Sequence, residues 1–177
     1  MRIKSLLIPV ITICLFAVVL FGTRTATAGT AQANYEAELN TLMHALLPGS
    51  TSFAEEAYDG EDANIKAVYR AENGCVIMTS TYGYAGDLVM LIGVDNSGDV
   101  KGVVVREMSE TYGLGANALS DVDFLAQFLW TEGDAEVGTN VDAITGATVT
   151  SKAVARSVNS AVGFMTGVDA TTSATSW

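Results

Sequence analysis

The sequence predicts an α+β fold: an antiparallel β-meander sheet covered by helices, after one N-terminal transmembrane helix. Three observations predict it. Four β-rich runs follow one another between residues 65 and 108 with reversal signals between them, segments of helical period lie on both sides, and an apolar stretch precedes everything else. Strands and helices are segregated along the chain, so the class is α+β.

Arg2 and Lys4 precede an apolar run from Leu6 to Phe21, interrupted by Pro9 and Thr12 and followed by Arg24. At about 1.5 Å per residue the run is near the short limit for crossing roughly 30 Å of hydrocarbon, which leaves a membrane anchor and a signal peptide both open. Ala26-Thr27-Ala28 has the small-x-small form of a signal-peptidase site, although the apolar run is longer than a usual signal core. If the segment is retained, its positive flank stays cytoplasmic and the remainder is extracytoplasmic. The expected layout is an anchor or signal peptide over 1–28, one domain over 29–165 and a flexible Thr/Ser/Ala-rich tail over 166–177.

Gln32 to Leu47 carries Leu39, Leu42, Met43, Leu46 and Leu47 at helical spacing and halts at Pro48-Gly49. His44, the only histidine, falls near the end of that helix, where a cation suits the dipole, and a structural role is expected for it. Ile65 to Arg70, Cys75 to Thr81, Asp87 to Asp95 and Val100 to Met108 read as strands. Glu72-Asn73-Gly74 and Asn96-Ser97-Gly98 read as hairpin turns, because Asn and Gly tolerate positive φ. Ser120-Asp121-Val122-Asp123 resembles a capping box ahead of a short helix through Phe124, Leu125, Phe128 and Leu129, and a last short strand is expected before Asp142.

Composition limits the partners. Beyond the N-terminal segment six Lys/Arg stand against twenty Asp/Glu, leaving net −14, which argues against nucleic acid or an anionic surface. Cys14 lies in the apolar run and Cys75 in a strand, with neither metal-ligand spacing nor an iron–sulfur pattern. No Ser-His-Asp set, paired-carboxylate arrangement or Gly-x-Gly-x-x-Gly motif after a strand is recognised, so no catalytic or metal-binding residue is assigned.

The most informative stretch runs from Asp142 to Ser151. Past Ser151, Val154, Val158, Ala161, Val162 and Met165 fall at three- and four-residue steps, so a helix is expected from about Thr150 with Thr148 just outside its end. The first N–H groups of a helix lack intrahelical partners and carry about half a positive charge, which favours an anion such as a phosphate. On the residues alone, Thr148, Thr150 and Ser151 read equally well as competing N-caps. The pattern Asp-x-x-Thr-Gly-Ala-Thr followed by Thr-Ser resembles the flavinylation motif of the FMN-binding domain family, present in the G subunit of the Rnf electron-transport complex and in the C subunit of sodium-translocating NADH:quinone reductase. The resemblance implies FMN held through a phosphodiester on Thr148, with Asp142, Thr145, Gly146 and Ala147 completing the recognition pattern.

Two glycine-containing stretches extend the resemblance. Glu110-Thr111-Tyr112-Gly113-Leu114-Gly115 is similar to the family's Glu-Thr-Pro-Gly-Leu-Gly segment beside the flavin, with Tyr112 in place of proline, so Glu110, Thr111, Gly113, Leu114 and Gly115 join the expected cofactor-binding set. Gly83 and Gly86, in Gly83-Tyr84-Ala85-Gly86-Asp87, join it as supporting residues; by themselves they could equally mark a bulge or a reversal.

The resemblance implies a membrane-anchored, single-pass flavoprotein subunit on the extracytoplasmic side of the cell membrane. It would relay electrons within an ion-translocating, ferredoxin/NAD-linked oxidoreductase of Rnf type and would not be a stand-alone enzyme. Its partners would be other membrane subunits of that complex, with a flavin transferase for maturation. The chain is short for the quinone-reductase family, which puts the Rnf family first. Two other readings remain: a cleaved, secreted or periplasmic flavinylated carrier serving an extracytoplasmic reductase, and a non-redox helix-on-sheet binding module.

Overall fold

The computed structural model describes residues 3–110, 115–129 and 131–167. The chain divides into two compact units, Met1–Thr41 and Leu42–Trp177. Helix α1 covers Ile3–Leu46, taking in both the apolar run and the amphipathic segment. Within the first unit the side chains of Ile13, Leu15, Phe16, Val18, Val19, Leu20 and Phe21 are exposed. Thr12–Leu46 is long and apolar enough to cross a membrane.

The second unit is built on a five-stranded antiparallel sheet in chain order: β1 (Ala54–Glu56), β2 (Ile65–Ala71), β3 (Gly74–Tyr82), β4 (Asp87–Asp95) and β5 (Val100–Met108). The expected meander is present, with the turns where Asn and Gly predict them. At Asn96-Ser97-Gly98 the chain reverses with Gly98 at φ +96°, and the Gly98 N–H donates to the Asp95 carbonyl at 3.0 Å. Strand β1 is an addition: three exposed residues are too few to show a period, and pairing with Val68, Tyr69 and Arg70 defines them.

The register between β3 and β4 assigns the faces. Cys75 opposes Val94, Ile77 opposes Ile92, Thr79 opposes Met90 and Thr81 opposes Leu88. This face packs on helix α4 (Thr148–Thr166) through Val154, Val158, Ala161 and Val162, and on Phe124 and Phe128. On the other face Gly93 and Gly102 admit Leu46, whose carbonyl oxygen would lie 2.5 Å from a Cβ added at Gly93. Strand β4 is therefore buried on both sides, which explains its near-continuous apolar sequence.

The smaller elements differ from expectation in detail. Helix α2 (Gly115–Ser120) precedes α3 (Val122–Ala126), and the cap of α3 is Asp121, whose carboxylate accepts the Phe124 N–H at 3.0 Å. Ser120 instead donates back to the Ala116 carbonyl at 3.1 Å, as the last residue of α2. The short strand expected just before Asp142 is not formed among the described residues between α3 and α4. Gly138, at φ +91°, and three N–H groups converging on the Glu136 carbonyl curl that segment, leaving one isolated bridge between Val137 and Val141. Helix α4 ends at Gly167, left-handed at φ +71°, and the expected tail beyond it lies outside the described residues. His44 packs edge-on against Phe53 at 5.1 Å, while burial pushes the Cys75 thiol above its ordinary range, as suits two structural side chains.

Candidate functional site

The chain approaches α4 through a tight turn. The Ala147 N–H donates to the Ile144 carbonyl at 2.9 Å, and Gly146 sits at φ +82°, where a side chain would be strained. Ser151 fastens this turn to the helix: its hydroxyl accepts the Ile144 N–H at 3.2 Å and donates to the Ala147 carbonyl at 3.0 Å. The helix begins at Thr148, two residues earlier than its apolar period suggests. That period is set by packing, which starts only where α4 meets the sheet.

None of the three candidate caps acts as one. The N-cap is Ala147, which has no capping oxygen, and no side chain caps the helix. Thr148 is the first helical residue, exposed, and its hydroxyl makes no hydrogen bond among the described residues. The positive end of a 19-residue helix is thus left open beside a reactive-class oxygen. Around it lies a cavity of about 310 Å³ lined by Tyr84, Gly115, Gly146, Ala147, Thr148, Val149 and Thr150.

Other predicted residues close in behind. Glu110 Oε1 accepts the Tyr84 N–H at 2.7 Å, and the Gly83 N–H donates to the Gly86 carbonyl at 2.8 Å, so the loop between β3 and β4 is folded onto the segment after β5. A Cβ at Gly83 would collide with Glu110, and one at Gly86 would lie 2.7 Å from the Ser109 Cβ. The structure therefore brings Gly83, Gly86, Glu110, Gly115, Gly146, Ala147 and Thr148 together. Thr111, Gly113 and Leu114 lie outside the described residues.

Asp142 and Thr145 stand apart from this cavity. They line a separate, open depression with Asp121, Asp123, Phe124 and Gln127. Gln127 holds the Asp142 backbone by accepting its N–H at 2.8 Å and donating to its carbonyl at 3.4 Å, which fixes the approach to the turn. Tyr84, Val149 and Thr150 are lining residues outside the expected cofactor-binding set. The sequence signals Thr150 only as part of the Thr-Ser pair that follows the motif, and gives no signal for Val149.

Comparison with known proteins bears on the same stretch. Residues 83–163 match the family model of the FMN-binding domain. The match begins at Gly83 and takes in Glu110, Gly115 and the whole turn before α4, so the resemblance expected from two motifs holds for the segment that builds the cavity. The chain is 31% identical over 115 residues to the G subunit of the Na(+)-translocating ferredoxin:NAD(+) oxidoreductase complex of Acetobacterium woodii, covering 60% of this chain and 53% of that one. It is 38% identical over 94 residues to the G subunit of the proton-translocating ferredoxin:NAD(+) oxidoreductase complex of Clostridium ljungdahlii, covering 49% of this chain and 50% of that one. The chain spans about half the length of the curated relatives it matches.

The residues around the cavity fit FMN. The uncapped first turn of α4 suits a phosphate, and the apolar-lined cavity suits a ring. Thr150 Oγ1, buried in the lining, has no hydrogen-bond partner among the described residues.

Proposed function

We propose that this chain is the flavin-carrying subunit of an ion-translocating oxidoreductase of the Rnf type, with FMN linked through its phosphate to Thr148. The observation that carries the reading is an exposed, unbonded threonine hydroxyl at the first position of an uncapped helix, on the rim of a cavity. The matches to the FMN-binding domain and to the two bacterial relatives support it. The apolar helix and its exposed side chains support a single-pass anchor, and Arg2 and Lys4 favour a cytoplasmic N-terminus with the domain on the other side. The proposed partners are the remaining membrane subunits of such a complex and the flavin transferase that matures it.

Attachment makes Thr148 an acceptor. Its oxygen would bond to the flavin-side phosphorus of FAD as the bond from that phosphorus to the bridging oxygen breaks, AMP leaving with that oxygen and the hydroxyl proton passing to the transferase or solvent. The unpaired N–H groups of the first turn of α4 would stabilise the remaining phosphate charge, and Gly146, at φ +82°, shapes the turn that precedes Thr148. When bound, FMN supplies electron transfer singly or in pairs, at a potential set by neighbouring hydrogen bonds and charges. The covalent link keeps the cofactor at high local concentration where a dissociated one would be diluted away.

Intact mass and peptide mapping of protein purified from its own organism test the proposal. The expected result is an FMN-sized increment on the peptide containing residue 148, with residues 1–28 retained. Loss of those residues with the increment present would move the reading to a secreted carrier, and an unmodified Thr148 would overturn the tether. Thr148→Val should abolish flavin fluorescence on a denaturing gel, whereas Thr145→Val should retain it.

A further inference from the structure

Helix α4 starts without the side chain that usually fixes a helix start. Its N-cap is Ala147, so no side-chain oxygen takes up the first N–H groups. The start is held from inside instead. Ser151, fully buried at the fourth position of the helix, accepts the Ile144 N–H on its hydroxyl oxygen at 3.2 Å and donates its hydroxyl proton to the Ala147 carbonyl at 3.0 Å. The Ser151 N–H reaches the same carbonyl at 2.9 Å, and the Ala147 N–H closes the turn on the Ile144 carbonyl at 2.9 Å.

A hydroxyl bonded to the carbonyl four residues earlier is ordinary in helices, and Thr41 and Ser120 make that bond. The bond from the Ile144 N–H is what sets Ser151 apart, because it crosses from the turn into the helix. One proton and two lone pairs allow both bonds at once, and alanine or valine at this position would allow neither. Both ends of the turn from Ile144 to Ala147 are thereby tied to one buried oxygen. Thr148 lies between the tied residues, with Ala147 before it and Ser151 three residues after. Its own hydroxyl has no bond among the described residues, so the backbone alone sets where that oxygen points. A capping side chain at 147 would also fix the helix start, but it would occupy N–H groups that an anion needs.

We propose that Ser151 is the positioning residue for flavin transfer, holding the Thr148 hydroxyl where it meets the flavin-side phosphorus of FAD. The proposal rests on the flavin reading of Thr148. In the transfer the Thr148 oxygen bonds to that phosphorus, the bond from phosphorus to the bridging oxygen breaks, AMP leaves with that oxygen and the Thr148 proton passes to the transferase or solvent. Ser151 exchanges no proton, since its own stays on the bond to Ala147. It acts through geometry, and a misplacement of about 1 Å can cost about a hundredfold in rate.

The test incubates the full-length chain in detergent with FAD and the flavin transferase of its own organism, and follows flavin fluorescence on denaturing gels at several chain concentrations. Circular dichroism and urea midpoints report folding. Ser151→Ala should lower kcat at least about tenfold with KM nearly unchanged. Ser157→Ala is the control: it removes an equally buried hydroxyl of the same helix, bonded to Thr81, and should lower the urea midpoint while leaving kcat at the parental value. Ser151→Thr and Ser151→Val have the same shape and differ in the hydroxyl, so Thr should transfer at least about tenfold faster than Val whatever the added methyl costs. Hydrogen exchange of the peptide holding Ile144 should quicken in Ser151→Ala and not in Ser157→Ala. Folded Ser151→Ala protein transferring at the parental kcat, equal rates for Thr and Val, or an equal loss in Ser157→Ala would each overturn the positioning role. Should Ser151→Ala misfold, the ratio of Thr to Val decides. A parent chain that takes flavin at Thr148 beside an equally fast Ser151→Ala would remove the positioning role alone, whereas a parent left unmodified would overturn the flavin reading and the positioning role with it.

Discussion

The first turn of α4 and its middle obey opposite rules. From Ser157 to Ser160 every buried polar side chain of the helix finds a partner in the same chain, across distances of 2.9 to 3.1 Å. At Thr148 to Thr150 the helix has no capping side chain, and among the described residues one threonine hydroxyl is exposed without a bond and another is buried without one. Satisfied groups stabilise the fold, whereas unsatisfied ones persist where something outside the chain completes them. The same helix is therefore scaffold in its middle and receptor at its start.

The most severe stability effect expected from breaking this contrast is at Asn159. Its amide donates to the Ala135 carbonyl at 2.9 Å and accepts the Ala135 N–H at 3.0 Å, fastening the segment before the α4 turn to the helix. Asn159→Ala should strand both buried backbone groups and destabilise the second unit by about 3 kcal/mol, read as a lower urea midpoint by circular dichroism. Covalent flavin on Thr148 should persist in the folded fraction, since the turn from Ile144 to Ala147 is held separately by Ser151. Loss of flavin from folded Asn159→Ala protein would show that the two regions are not independent.

How far this contrast is legible in the sequence follows the same physics. Strands β2 to β5 are readable because each is a β-rich run of seven to nine residues, and the turns between them carry Asn or Gly, with Gly98 at φ +96° where a left-handed residue is needed. Thr148, Gly146 and Glu110 are readable as motif residues. Tyr84 is visible only as an aromatic that could equally pack in a core, and Thr150 only as a candidate cap. What makes Thr150 informative is a missing partner, and a missing partner is a property of three-dimensional packing. The apolar period places the start of α4 two residues late for a related reason: Thr148 and Val149 face the cavity, so they add nothing to that period.

A smaller effect, but of opposite sign at two positions two turns apart on α4, sharpens the comparison further. Ser157 Oγ and Thr81 Oγ1 lie 2.9 Å apart, and Thr81 also donates to the Ala153 carbonyl at 3.1 Å. Ser157→Ala should cost about 1 kcal/mol of stability in flavin-free protein. Thr150→Val removes an unsatisfied buried hydroxyl at similar volume and similar helix propensity, so flavin-free protein should become more stable by up to about 1 kcal/mol. Urea titration of the two variants beside the parent decides it. If both changes destabilise, Thr150 is satisfied within the chain and the receptor reading of the first turn fails.

The smallest expected effect compares two carboxylates at opposite ends of β4 and β5. Asp95, in the hairpin, has what Glu110 lacks: Oδ1 accepts the Ser97 and Asp99 N–H groups at 2.8 and 3.1 Å, and Oδ2 pairs with Lys101 at 2.9 Å. Partial burial would raise its pKa, but the bonds from Lys101, Ser97 and Asp99 outweigh that and hold it below the ordinary value. A carboxyl whose folded pKa is lowered contributes stability above its unfolded pKa, about 3.9, and loses it as pH falls through the folded value. Asp95→Asn should therefore lower the urea midpoint slightly at pH 7, and the difference from the parent should shrink as the pH falls below the ordinary carboxylate value. Flavin binding should be unchanged, because the hairpin is at the far end of the strands from the cavity. A stability difference that stayed constant down to pH 3 would mean that the turn geometry, and not the charge, is what Asp95 contributes.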